Sequence, residues 1–237
     1  MNQKRFLSAE WRKLIMANYE IDPMILKKYL PSKTELDEWQ GNYYISLVGF
    51  MFLNTKVKGV RVPFHINFPE VNLRFYVKHR SGDEWKRGVV FVNEFVPKPA
   101  ITFVANNLFN ERYVTFPMKH KWDLDDKLSI GYYWKKNDQW HKLEATANKD
   151  PLELVAGSKE EFITEHYWGY SSINENKTGE YHVEHPRWNI YSVEQHNIEC
   201  DFQALYGNDF GFLNSLQPAS VFLAEGSPLT VFTKKIL

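Results

Sequence analysis

Residues 70–77 read EVNLRFYV, an alternation that sets Glu70, Asn72, Arg74 and Tyr76 on one side and Val71, Leu73, Phe75 and Val77 on the other. Successive side chains of an extended chain point to opposite faces, so this period of two marks a β-strand with one apolar face. The other face carries two charges and ends in an aromatic. That face is either solvated or one wall of a cavity, and the alternation alone fits both.

The same rhythm continues on either side. Strands are expected at residues 11–21, 43–53 and 85–95, the second entered through a Gln40-Gly41-Asn42 turn from a short partner at 36–39. Residues 56–68, with Gly59 and Pro63, read as a loop. Asp22-Pro23 has the cap and first-turn proline of a short helix that Pro31 ends. Pro97-Lys98-Pro99 opens a second helix over 99–109, its stripe supplied by Ile101, Val104, Ala105 and Leu108. Residues 128–136 and 140–146 form a hairpin around Asn137-Asp138, and Ser158 with Glu161 has capping-box spacing. Further strands are expected at 111–116, 164–171, 180–185, 188–199, 202–205, 220–224 and 229–233. Many short strands, few helices and no βαβ rhythm give a mainly β (α+β) chain, read as one domain over residues 1–237. Antiparallel strands in such number must close or stack to hide their edges.

Composition narrows the function classes. An aromatic content of 16% is high for a globular chain, and aromatics supply wide contact surfaces in strands or around a cavity. The 29 basic and 29 acidic residues balance, which removes the bulk electrostatic argument for nucleic acid or an anionic membrane as partner. A single cysteine, Cys200, excludes an internal disulfide, and no charged-then-apolar leader opens the chain, so a cytoplasmic location is expected. Cys200 is expected to be a buried, inert thiol. No dinucleotide, phosphate-loop, nucleophile-elbow or zincin motif occurs, so no cofactor is expected. The closest histidine pair, His182 and His185, falls on opposite faces of a strand, and no metal site is expected. Among Tyr167, Trp168, Tyr170, Tyr181, Trp188 and Tyr191, cross-strand packing is expected for most and pocket lining for some.

Several segments together carry a resemblance. EWRKLIMANYEIDPMILKKYLP, ISLVGFMFLNTKV, VPFHINFPEVNLRFYV, GVVFVNEFVPKPAITFVANNLFNERY, FPMKHKW and VEHPRW look like the YqjF-like family of uncharacterised bacterial proteins, across nearly the whole chain. A more distant resemblance links that family to the acetoacetate decarboxylase fold, which implies a cone-shaped antiparallel β-barrel around a cavity. Arg12, Tyr19, Asp22 and Pro31 keep the separations of an acetoacetate decarboxylase segment, and Phe68-Pro69-Glu70 resembles its glutamate element. The decarboxylases also carry aromatic-Pro-Lys-Lys, whose first lysine forms an imine with the keto substrate. Here that element reads Phe116-Pro117-Met118-Lys119. A thioether forms no imine, so the standard reaction is not expected. Lys119 could act only if the strand slipped by one residue, which would turn its side chain to the opposite face.

The resemblance therefore implies a cavity that holds a small organic acid or keto compound. Glu70 and Lys119 are its expected acid–base groups, and Arg12, Arg74, Tyr76 and Met118 its expected ligand contacts. Two other readings compete: a divergent lyase using Lys119 as its amine, and a non-enzymatic interaction or regulatory module. A homo-oligomer is compatible with the sequence.

Overall fold

A computed structural model describes residues 3–237. Strand β1 (Arg5–Glu20) is followed by helix α1 (Pro23–Leu26), which Asp22 caps by accepting from the Met24 amide at 2.8 Å. Next come β2 (Glu35–Leu36), β3 (Tyr44–Val57), β4 (Phe68–Ser81) and β5 (Glu84–Val96). Helix α2 (Pro99–Phe109) leads to β6 (Tyr113–Thr115), β7 (Met118–Asp123), β8 (Leu128–Lys136) and β9 (Gln139–Ala147). Helix α3 (Lys159–Thr164), capped by Ser158, precedes β10 (Trp168–Asn174), β11 (Lys177–Glu184) and β12 (Ile190–Glu199). Helix α4 (Phe202–Tyr206), β13 (Ser220–Phe232) and β14 (Lys235–Ile236) complete the chain.

The strands run β14-β11-β10-β5-β4-β3-β1-β13-β12-β9-β8-β7, and β11 also pairs with β13. That extra pairing closes β11, β10, β5, β4, β3, β1 and β13 into a barrel, which leaves these seven strands without a free edge. Pairing is antiparallel except where β10 and β6 meet β5. Beyond β13, the arm β12-β9-β8-β7 folds back over the barrel wall. Tyr132 of β8 reaches across to donate its hydroxyl to the Lys13 carbonyl at 2.8 Å. Gly49 of β3 gives this ring its room, since a Cβ there would stand 2.8 Å from it.

The wall strands are thus buried on both faces. In β3, Ile45, Leu47 and Met51 face the arm and pack with Tyr132, Trp134 and Leu143, while Tyr44, Val48, Phe50 and Phe52 face the barrel interior. In β4, Val71, Leu73, Phe75 and Val77 take the arm side. The polar set Glu70, Asn72, Arg74 and Tyr76 is therefore interior: each is buried, Arg74 the least so at 8% exposed. The alternation read from the sequence is observed, and Glu70, Asn72 and Arg74 of its polar face line a cavity.

Differences from the sequence reading have local causes. β3 continues to Val57, so the expected loop shortens to residues 58–67. β2 pairs with β4 instead of β3, leaving a single bridge, Trp39 to Asn42, where a hairpin was expected. Residues 202–206 are helical because Asp201 caps them, accepting from the Ala204 amide at 3.0 Å. Cys200 follows β12, half-buried against the arm-side core, and desolvation pushes its thiol upward. Among the described residues, no helix is long and apolar enough to cross a membrane.

Candidate functional site

The barrel interior holds a cavity of about 280 Å³. One wall is a polar ladder built by register. Asn72 of β4 lies opposite Glu94 of β5, and Glu94 lies opposite Tyr113 of β6. Glu70 accepts two hydrogen bonds, from Asn72 Nδ2 at 3.0 Å and from the Tyr113 hydroxyl at 3.0 Å. Glu111, just before β6, adds a third buried carboxyl to the lining.

Three carboxyls sharing one desolvated wall cannot all ionise at ordinary pH. Burial pushes Glu70 up to about 7, against the hydrogen bonds from Asn72 and Tyr113 that favour its ionised form. Burial, with the charges of Glu70 and Glu111, drives Glu94 well above the carboxylate range. Burial takes Glu111 to about 8, opposed by Tyr181 and Lys234. Near neutrality the wall therefore holds protons to donate, and Glu70 titrates there. The three belong to one linked set rather than to independent acids.

Stability should follow with a definite sign. A carboxyl whose folded pKa is raised keeps its proton in the folded state while the unfolded chain releases it. Its favourable contribution is complete below about 4.5 and is lost as pH rises through about 7. Glu70→Gln, which has no charge to bury, is expected to raise the melting midpoint by several degrees at pH 8.5. At pH 5 it should leave the midpoint nearly unchanged, which scanning calorimetry at the two pH values checks.

Arg74 supplies the positive charge. Among the described residues its one hydrogen bond runs from Nη2 to the Ile163 carbonyl at 3.4 Å, and it makes no ion pair. Its Nε is buried without a partner. Beside it, His166 places its Nε2 3.2 Å from Asp37. Burial pushes His166 down to about 4, so the ring is neutral, and its Nδ1 has no partner. Burial works against the charge of Asp37 too, but His166 and Arg87 outweigh it and hold the carboxyl at about 2. Tyr76 stands behind this group, 4.8 Å from the His166 ring, with its hydroxyl 2.6 Å from Ser46 Oγ.

The remaining lining is apolar and largely aromatic. Trp11 of β1 meets Phe50 and Phe52 of β3 edge-on, and His185 stacks on Trp188 at 4.3 Å. Helix α2 covers one side with Ile101, Val104 and Ala105. From the aromatic cluster singled out in the sequence, Trp168, Tyr181 and Trp188 line the cavity; Tyr170 and Tyr191 pack in the arm-side core.

The structure brings Glu70 and Arg74 together in this cavity and leaves Arg12, Tyr76, Met118 and Lys119 out of its lining. Trp11 takes the inward position on β1, so Arg12 faces outward. There it binds Glu10 at 2.7 Å and lies 3.9 Å from Glu225. Met118 packs into the core between arm and barrel. Lys119, on the other face of β7, is exposed, its ammonium 4.4 Å from the centre of the Trp140 ring. None of the lining residues is a lysine. Among the described residues, no cluster of His, Cys, Asp or Glu is arranged to hold a metal ion.

The sequence reading missed Glu94, Glu111, Tyr113 and His166. For Glu94 a signal exists: it is the one charge in the otherwise strand-like run VVFVNEFV. The others come from a short edge strand and from loops, which carry no periodicity.

Comparison with known proteins places this architecture. The DUF2071 family, described as an uncharacterized conserved protein, matches residues 8–228. The chain belongs to this family. A DUF2071-like relative, the uncharacterized protein YqjF of Bacillus subtilis (strain 168), is 29% identical over 195 residues, 78% of this chain and 74% of that protein. Solved structures share the fold at low identity. Acetoacetate decarboxylase from Legionella pneumophila matches with a TM-score of 0.68 at 12% identity, covering 100% of this chain and 90% of its own. An acetoacetate decarboxylase-like enzyme from Sphingomonas wittichii RW1 gives 0.69 at 12%, covering 100% and 94%. The enduracididine biosynthesis enzyme MppR, complexed with pyruvate, gives 0.66 at 10%, covering 100% and 91%. This DUF2071 chain thus has an acetoacetate decarboxylase-like fold, as its sequence implied.

Proposed function

We infer that the barrel cavity binds a small organic acid or keto acid, with Arg74 holding the carboxylate and the Glu70 wall addressing a neighbouring oxygen. The observation that carries this reading is a guanidinium in the cavity wall that, among the described residues, makes no ion pair with a protein carboxylate. Buried charges are ordinarily paired, and a ligand carboxylate supplies the missing partner with bidentate geometry. The protonated carboxyls are donors suited to a keto or hydroxyl oxygen. Glu70, at about 7, is set to exchange a proton with it. The pyruvate complex of MppR, a protein of the same fold, supports the ligand class. With no lysine in the lining, the reading needs no imine.

The test is ligand-dependent thermal stabilisation with pyruvate, 2-oxobutyrate, acetoacetate and lactate, followed by titration calorimetry. Stabilisation by one or more acids is expected, and it should persist in Arg12→Ala, because Arg12 lies outside the cavity. No shift for any acid would overturn the reading.

A further inference from the structure

We propose that the acid this cavity selects carries a flat aryl tail, seated among Trp11, Phe50, Phe52, Phe68, His185 and Trp188, so that 2-oxo acids with aromatic side chains are its ligand class. The inference rests on the organic-acid reading and adds what lies beyond the carboxylate.

The cavity has two chemically distinct ends, and strand register orders them. Along β3 and β4 the inward pairs run Phe52 with Phe68, Phe50 with Glu70, Val48 with Asn72 and Ser46 with Arg74. Along these two strands the guanidinium therefore lies at one end and Phe52 and Phe68 at the other, with the carboxyl ladder between; His185, near enough for the Arg74 charge to act on it, joins the two ends. Six residues of strand separate Phe68 from Arg74, roughly 20 Å at the usual rise, and the arginine side chain spans part of that. A pyruvate-sized acid held at Arg74 would leave the aromatic end unfilled. A ligand with a ring beyond its keto carbon would reach it.

The ring-lined part of the cavity suits a ring better than a flexible chain. Phe52 and Phe68 stack at 4.7 Å with 19° between planes, and His185 and Trp188 stack at 4.3 Å with 20°. Trp11 stands edge-on to Phe50, Phe52 and Trp188. These faces and edges offer both offset-stacked and edge-to-face contacts to an inserted ring. Burial, helped by the nearby Arg74 charge, pushes His185 down to about 4, so at neutral pH the wall it forms is uncharged. Trp11 Nε1 is a buried donor with no partner, while Trp188 Nε1 is spent on Ser227 Oγ at 2.8 Å. The unused donor suits an aryl ring bearing an acceptor. The ring-lined part of the cavity gains from such an occupant, since water would make few hydrogen bonds there.

Titration calorimetry with phenylpyruvate, 4-hydroxyphenylpyruvate, pyruvate and 2-oxooctanoate tests the proposal. The aryl acids should bind at least about tenfold more tightly than pyruvate, the discrimination a filled apolar pocket provides. They should also bind more tightly than 2-oxooctanoate. Trp11→Leu should remove most of the aryl advantage while leaving pyruvate binding in place. Ala105→Phe, which fills the cavity from α2 without disturbing the rings, should do the same and serves if the tryptophan variant folds poorly. Equal affinity for pyruvate and the aryl acids, or tighter binding of 2-oxooctanoate, would overturn the aryl inference and leave the organic-acid reading standing. Binding of none of the four would overturn both.

Discussion

Arg74→Met is expected to lower affinity for a carboxylate ligand by roughly 30-fold to a few thousandfold, with little change or a gain in thermal stability. The two halves of this expectation share a cause. Removing one member of a buried, hydrogen-bonded charge pair costs about 2–5 kcal/mol, and each ~1.4 kcal/mol is a factor of ten in affinity. In the free protein no such pair exists among the described residues: Arg74 makes no ion pair there, and its hydrogen bond to Ile163 is long at 3.4 Å. Folding has to desolvate that guanidinium against weak compensation, so replacing it with an apolar side chain of similar length removes a cost. A variant that melts no lower than wild type yet no longer binds would assign the arginine to the ligand. Arg74→Lys keeps the charge and loses the planar fork, so it should fall between the two. Calorimetric titration beside a melting curve checks both halves. A lower midpoint with retained binding would assign Arg74 to structure alone.

That role for Arg74 was half legible in the sequence. The alternation over residues 70–77 fixes which side chains share a face, because a strand has no other way to distribute them. Whether that face meets water or a cavity depends on what the barrel and its arm cover, and this is set by pairings far apart in the chain. Helix α2 was legible to its ends, since its proline entry and apolar stripe are local signals. Arg12 shows the converse. Its spacing to Tyr19, Asp22 and Pro31 suggested a cavity residue, but spacing does not record side-chain direction where a strand is kinked. Lys13 takes a left-handed backbone conformation, φ 55°, so Ala9 and Trp11 point inward before it and Leu14 and Met16 point inward after it. Arg12 falls on the outer side of that switch. The same parity logic separates Met118 from Lys119 on β7, and the arm carries both away from the cavity. Glu111 and His166 join the site through loops and a short edge strand. Only the closed barrel makes them neighbours of Glu70 and Arg74.

The kink that turns Trp11 inward rests on one residue of the opposite strand, and Gly226→Ala is expected to cost about 2–5 kcal/mol. Gly226 pairs with Arg12 across β1 and β13, at φ +77°, where a side chain carries a steric penalty of roughly 1–2 kcal/mol. A Cβ there would also stand 2.0 Å from the Trp11 carbonyl oxygen. Backbone of a paired strand cannot swing aside as a side-chain tip can, so relief requires the β1–β13 ladder to part locally. Overpacking of that kind adds about 1–3 kcal/mol. For a chain of this length the sum corresponds to a fall of roughly 4–20 °C in melting midpoint. Gly41 gives the comparison: its φ is +82°, but nothing lies within 4 Å of its Cβ position. Gly41→Ala should therefore pay only the conformational part, on the order of 1 kcal/mol. Equal losses for the two variants would show that backbone conformation alone matters at Gly226 and that the contact with Trp11 yields. The expected inequality would tie β13 to the cavity, because the strand displacement that admits a methyl at Gly226 moves Trp11. The protein that still folds should then lose aryl-acid affinity ahead of its affinity for pyruvate.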